Sequence, residues 1–351
     1  MPARTTIAHR VFVTRPIAEA AIRRLAESAR VDLWDDDAPP PPADLAEHLR
    51  PCDAVLAMVS DRFDAATIAG APRLGVISNL AVGVDNIDLA AATRAHVAVG
   101  HTPGVLAETT ADLAFALMMA VARRVAEADR FVRAGRWRMW TPRLMLGRDV
   151  WGATLGIVGW GAIGQAVARR ASGFGMRVIY ASRETPIPGR RAKASATATH
   201  AAADVSAAGA ERVALAQLFA ESDFISLNLP LTAETRGMIG RAQIAAMKRG
   251  AILINTARGA IVDQSALERA LRTGHLGGAG LDVTATEPID PRDPILELPN
   301  VVITPHIGSA SHATRLKMAE LAVDNILDVF AGRLPRRCAN PAVRLRIAPR
   351  K

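Results

Sequence analysis

The sequence predicts an α/β protein of two domains, each a doubly wound parallel sheet, and three observations carry that expectation. At 351 residues the chain exceeds one average domain and has material for two cores. From residue 10 onward short β-branched runs alternate with helical periodicity, the rhythm of parallel strands joined by crossover helices. A second rhythm of the same kind begins after residue 150, and its strand runs are continuously apolar, as in a sheet covered on both faces.

In chain order, VFVT predicts the first strand, AEAAIRRLAESA a helix and VDLW the next strand. DDDAPPPPAD at 35–44 predicts a loop, because consecutive prolines suit neither a helix interior nor a central strand. Residues 109–132 are amphipathic with methionines at their centre and predict one long helix of the core or between domains. The second half reads as strands TLGIVG, RVIYAS, DFISLNLP, AILINTA, GAGLDV and VVITP, with a helix through AIGQAVARRASGF. Residues 192–210 are rich in Ala, Ser and Thr, bury little, and predict a mobile surface insertion.

Composition excludes several classes. Half the residues are apolar and 22% are charged, the balance of a folded soluble enzyme. No uncharged apolar run reaches the roughly 18 residues of a membrane span, and MPARTTIAHRVFVTRP lacks a signal core, so a cytoplasmic protein is expected. Cys52 and Cys338 are the only cysteines, with no companion spacing for a disulfide framework or a metal site. The net charge of +9 raises nucleic acid as a partner, but the arginines are dispersed and not interleaved with aromatics. None is expected, and the basic run 333–351 reads as a solvated tail.

Gly159-Trp160-Gly161-Ala162-Ile163-Gly164 follows a strand and precedes a helix. In that setting the first glycine makes the turn, the second admits a pyrophosphate and the third lets helix pack on strand, as in a Rossmann-like dinucleotide site. The end of the next strand reads Ala181-Ser182-Arg183, where an NAD enzyme usually carries a carboxylate. A guanidinium there suits a 2′-phosphate, so NADP(H) is expected over NAD(H). Further polar residues fall at ends of predicted strands: Thr256, Ala257 and Arg258 after AILIN, Asp282 and then Glu287 after GAGL, and His306 after VVITP. Reduction of a keto acid needs a cation for the carboxylate, a proton donor for the carbonyl and a carboxylate to keep that donor charged. Arg258, His306 and Glu287 supply these, although each alone reads as readily as a salt bridge, a buried histidine or a loop acid.

The ordered run of GWGAIG, LNLPLT, INTARGAIVD, GAGLDV with Glu287-Pro288, and TPHIGSAS, together with NLAVGVDNIDL and TPGVLAETTADLAFAL, resembles the D-isomer-specific 2-hydroxyacid dehydrogenases over nearly the whole chain. Within them it resembles the glyoxylate/hydroxypyruvate reductase branch. The resemblance implies that Arg258 binds the substrate carboxylate and carbonyl, that His306 is the general acid paired with Glu287, and that Asp282 holds the nicotinamide carboxamide. It implies a cofactor site of Gly159, Gly161, Ala162, Ile163, Gly164, Ser182, Arg183, Pro230, Thr256, Ala257, Asp282 and Thr110. Backbone amides around Ala81, Val82 and Gly83 would cradle the carboxylate, a task a glycine-containing turn suits on its own chemistry. The implied order is a discontinuous substrate domain, 1–106 plus 309–351, with a dinucleotide domain at 107–308, a cleft between them and the helix from near Thr109 as hinge.

A homodimer is also implied, with Trp140 of RWRMWTP lent to a partner's substrate site, or Trp137 and Trp140 packing locally instead. Formate dehydrogenases carry Gln at the position of Glu287, D-lactate dehydrogenases place a Tyr in the substrate site where Tyr180 here lies on a nucleotide-domain strand, and phosphoglycerate dehydrogenases often add a regulatory domain. The alternatives are a non-catalytic corepressor-like module that binds a dinucleotide, and a dehydrogenase for another D-2-hydroxy acid such as D-3-phosphoglycerate.

Overall fold

The computed structural model describes residues 9–182 and 209–346. The chain divides into two compact units, Met1–Leu106 with Ala310–Lys351, and Ala107–Ser309.

The first unit is a parallel sheet of β1 (His9–Val13), β2 (Ala29–Leu33), β3 (Ala54–Ala57), β4 (Val76–Asn79) and β5 (Ala98–Gly100), in the order β2-β1-β3-β4-β5. The central strands β3 and β4 are buried along their whole length; β3 is apolar throughout, while Ser78 and Asn79 of β4 are polar and hydrogen-bonded. Phe12, Leu49, Phe63, Leu74 and Ile77 anchor the core on one side. Helix His312–Phe330 returns to this unit, and Ser78 Oγ donates to its Ala322 carbonyl at 2.8 Å. Register aligns Asn79 with Ala57 and Gly100 with Ser78, so the loops after β4 and β5 leave the same edge of the sheet.

The second unit holds a seven-stranded parallel sheet in the order β12-β11-β10-β9-β6-β7-β8. Its strands are β6 (Thr154–Val158), β7 (Arg177–Ala181), β8 (Glu211–Arg212), β9 (Phe224–Leu227), β10 (Ile252–Asn255), β11 (Gly278–Leu281) and β12 (Val301–Ile303). Strand order reverses between β6 and β9, the place where an open parallel sheet leaves a crevice at its carboxyl ends. Register pairs Asn255 with Leu281 and Leu281 with Ile303, so Thr256, Asp282 and Thr304 emerge side by side. No helix among the described residues is long and apolar enough to cross a membrane.

The structure corrects three sequence expectations. The predicted helix at 109–132 is two, Ala107–Ala122 and Val125–Arg133. Arg124 between them takes a left-handed conformation (φ 54°), its guanidinium held by Glu127 at 2.7 and 2.8 Å, and the freed Ala122 carbonyl accepts from Arg148 N–H. The proline-rich loop stops early: helix Pro42–Leu49 begins with a proline in its first turn, where the missing N–H costs nothing. The basic tail, as far as it is described, keeps its arginines exposed as expected but is seated on the sheet edge between them. Cys338 bridges Gly100 in antiparallel fashion, Ala339 N–H donates to Val99, and buried Asn340 bonds Val99, Thr93 and Val97, covering the free edge of β5. The insertion at 192–210 lies outside the described residues except for its last two positions.

Candidate active site

The loop after β6 gives each of its three glycines a separate task. Gly159 has φ +98°, and a Cβ there would come within 2.5 Å of the Asn228 carbonyl. Gly164 is buried, and a Cβ there would lie 2.2 Å from the Gly159 carbonyl oxygen, so only glycine lets helix Ala162–Ser172 pack on the loop. Gly161 is the opposite case: nothing lies within 4 Å of its Cβ position, so the space is free for a ligand. It caps the helix without a side-chain bond, and the first turn carries no acidic residue. Exposed Gly161 and Ala162 and half-buried Ile163 therefore present N–H groups at the positive end of an 11-residue helix, a place for phosphate.

Two buried polar atoms along the same edge have no hydrogen-bond partner among the described residues, Oδ1 of Asn228 and Oγ1 of Thr256. Orphaned buried acceptors and hydroxyls are rare, so their presence fits a polar ligand running along the carboxyl ends of β9 and β10. Pro230 is exposed and turns its carbonyl to Thr235 at 2.7 Å, and Thr110 is buried beside Gly308. Ser182 is exposed at the end of β7, and Arg183 lies outside the described residues. Sequence reasoning missed Arg212. Its guanidinium reaches the Ser182 carbonyl at 3.2 Å from β8, a two-residue edge strand too short to show in hydrophobic periodicity.

Arg258 follows β10 in extended conformation, half-buried, with Nη1 on the Ala257 carbonyl at 2.8 Å. The turn behind it is set by Asn255, which accepts from Ala257 N–H at 3.0 Å and donates to the Arg258 carbonyl at 2.9 Å. Gly259 must be glycine, because a Cβ would lie 1.8 Å from the Thr284 carbonyl.

His306 Nδ1 lies 2.7 Å from Glu287 Oε2, and the second carboxylate oxygen accepts from Thr284 N–H at 3.3 Å. The structure thus joins two of the three expected catalytic residues directly. His306 has φ 54°, an uncommon conformation for a residue with a side chain, and its N–H donates to the Asp282 carbonyl at 2.9 Å. The loop is braced by Asp282, whose buried carboxylate accepts from Thr304 Oγ1 (2.7 Å), Ile307 N–H (2.7 Å) and Gly308 N–H (2.8 Å). Nothing in the sequence revealed this bracing, because its donors are mostly backbone groups.

In the first unit, Ala81, Val82 and Gly83 form the turn after β4. Ala81 N–H is consumed by the Asn79 carbonyl at 2.8 Å, whereas among the described residues neither Val82 nor Gly83 N–H donates to a backbone carbonyl. Trp137 and Trp140 are 58% and 77% exposed.

A model of the NAD-binding domain of D-isomer specific 2-hydroxyacid dehydrogenases matches residues 115–308. The chain is 50% identical over 335 residues to a glyoxylate reductase of Korarchaeum cryptofilum, covering 95% of this chain and 96% of that one. Among solved structures it is similar to a glyoxylate reductase from Paecilomyes thermophila, with TM-score 0.80, 31% identity and coverage of 97% and 99%. It is likewise similar to an NADPH-dependent glyoxylate/hydroxypyruvate reductase from Sinorhizobium meliloti in complex with NADP and malonate, with TM-score 0.80, 29% identity and coverage of 97% and 99%.

Proposed function

Because this chain belongs to the D-isomer-specific 2-hydroxyacid dehydrogenase family, and so is an oxidoreductase dependent on a nicotinamide dinucleotide, we propose that it reduces glyoxylate and hydroxypyruvate to D-2-hydroxy acids with NADPH as its preferred reductant. The observation that carries the reading is the 2.7 Å contact between His306 and Glu287 on a loop held rigidly by Asp282. The 50% identity to a glyoxylate reductase supports the substrate class.

When bound, the dinucleotide supplies a hydride to the substrate carbonyl carbon. The proton for the carbonyl oxygen is the task of His306. Glu287 takes Nδ1, which fixes the ring and leaves Nε2 as the nitrogen that delivers the proton. Arg258 is assigned to the substrate carboxylate and carbonyl, where a guanidinium forks onto two oxygens and draws charge from the carbon under attack. From the first unit, the N–H groups of Val82 and Gly83 are assigned to the carboxylate, while Ala81 shapes the turn.

For the cofactor, Gly161, Ala162 and Ile163 are assigned to the pyrophosphate, with Gly159 and Gly164 making that approach possible. Asn228, Pro230, Thr256, Ala257, Thr110 and Asp282 are assigned to the nicotinamide half. The preference for NADPH rests on the absence of a carboxylate at Ser182 and on two guanidinium groups, Arg183 by sequence and Arg212 by position. A homodimer is part of the same proposal: Trp137, Met139, Trp140 and Leu146 are each more than half exposed on one segment, an apolar surface that suits burial against a second copy, with Trp140 offered to the partner's substrate.

The test is absorbance at 340 nm with NADPH and, separately, NADH, against glyoxylate, hydroxypyruvate and pyruvate. Faster oxidation of NADPH with the first two supports the proposal. Dinucleotide binding without oxidation on any of these acids would contradict it and favour a non-catalytic binding module.

A further inference from the structure

The turn after β4 is anchored to the first unit through its carbonyls. Its three successive carbonyls are all bonded to the body of the first unit. Ala81 O accepts from Thr102 N–H at 2.8 Å, Val82 O from His101 Nδ1 at 2.8 Å, and Gly83 O from Asn79 Nδ2 at 2.9 Å. In a planar trans peptide the C=O and the following N–H point in opposite directions. Anchoring the Ala81 carbonyl therefore turns Val82 N–H away from the protein, and anchoring the Val82 carbonyl does the same for Gly83 N–H. Two adjacent donors facing outward make a cradle for an anion.

The anchors are themselves fixed. Asn79 is fully buried and its amide also donates to Asn86 Oδ1 at 3.1 Å, while Asn86 Nδ2 donates to the carbonyls of Met58 and Asp61 at 3.1 and 2.8 Å. His101 is held by its backbone, N–H to the Arg337 carbonyl at 3.0 Å and C=O from Asn325 Nδ2 at 3.1 Å. A carbonyl can only accept, so Nδ1 of His101 carries the hydrogen. Burial, with Arg337 adding to it, keeps this imidazole below its ordinary pKa, so at neutral pH it acts through direction rather than charge.

We propose that His101 is a positioning residue for substrate binding: by holding the Val82 carbonyl it aims Gly83 N–H, beside the Val82 N–H set by the anchored Ala81 carbonyl, at the substrate carboxylate. This rests on the assignment of that turn to the carboxylate. It names His101 as the residue through which keto-acid affinity is tuned without touching substrate.

His101→Leu, His101→Asn and Gly83→Pro test it, with KM measured separately for glyoxylate and for the dinucleotide, alongside kcat and Tm. Asn carries its amide nitrogen the same number of bonds from the backbone as His Nδ1, so His101→Asn keeps the donor and should stay within about twofold of wild type in KM. His101→Leu loses one hydrogen bond and should raise KM for glyoxylate about tenfold, with the dinucleotide KM unchanged and kcat moved less than about twofold. Gly83→Pro removes one of the two outward donors and should raise KM for glyoxylate at least as much.

If Gly83→Pro raises KM while His101→Leu leaves it at the wild-type value, or only lowers Tm, the positioning role is overturned and the carboxylate assignment stands. If Gly83→Pro also leaves KM unchanged, the assignment of the turn itself fails and the inference falls with it.

Discussion

At the scale of the residue, the site depends on backbone groups as much as on side chains. His306 occupies a left-handed conformation because its own N–H and the two that follow are claimed by Asp282. Asp282→Asn would turn an acceptor-only carboxylate into a group with one oxygen, too few for its three donors. We expect this variant to lower kcat on glyoxylate by at least about tenfold, read from 340 nm initial rates at saturating substrate. Cofactor choice is also a matter of single residues: Ser182→Asp with Arg183→Ala should shift the kcat/KM ratio toward NADH by about tenfold or more. Equal ratios before and after would remove Arg183 from the account. Cys52 offers a pH test. Burial, reinforced by nearby Asp32, pushes its thiol up to about 11 from 9.0. The unfolded chain therefore loses this proton first, so the contribution is intact below pH 9 and is lost as pH rises from 9 toward 11. Denaturation at a series of pH values should show a slope in that window that Cys52→Ala lessens.

At the scale of the element, the glycine loop after β6 separates folding from binding. Gly161 faces open space, so Gly161→Ala should keep the wild-type Tm within about 2 °C while weakening dinucleotide binding about tenfold or more in a fluorescence titration. Gly164→Val, whose Cβ would meet the Gly159 carbonyl, should instead lower stability by ~1–3 kcal/mol. The reverse pattern would mean that the roles of the two glycines are exchanged. These elements were also what the sequence disclosed best. Strands β6, β9, β10 and β11 are buried almost throughout, and their predominantly apolar runs marked them. The break at Arg124 was invisible because amphipathic periodicity continues through it, and only the returning chain at Gly147 and Arg148 explains it. The seating of the tail on β5 was missed for a related reason: it is made by backbone bonds and by Asn340, while the arginines around them stay exposed.

At the scale of the whole molecule, family membership and the double α/β architecture were legible in long ordered motifs, each at the carboxyl end of a strand. The bracing by Asp282, the anchoring by His101 and Asn79, and the approach of Arg212 were not, since they depend on which backbone atoms register brings together. The proposed dimer predicts a solution mass twice the 37.2 kDa of the chain by light scattering, and Trp140→Glu with Trp137→Glu should shift it toward the monomer. A wild-type mass of one chain would refute it. The central claim is that His306, oriented by Glu287, delivers the proton in keto-acid reduction. Its most direct test is the His306→Ala variant, assayed for glyoxylate reduction and for dinucleotide affinity in parallel. The account predicts a fall in kcat of roughly 10²–10⁴-fold with dinucleotide Kd within about twofold of wild type. Wild-type turnover by this variant would contradict it.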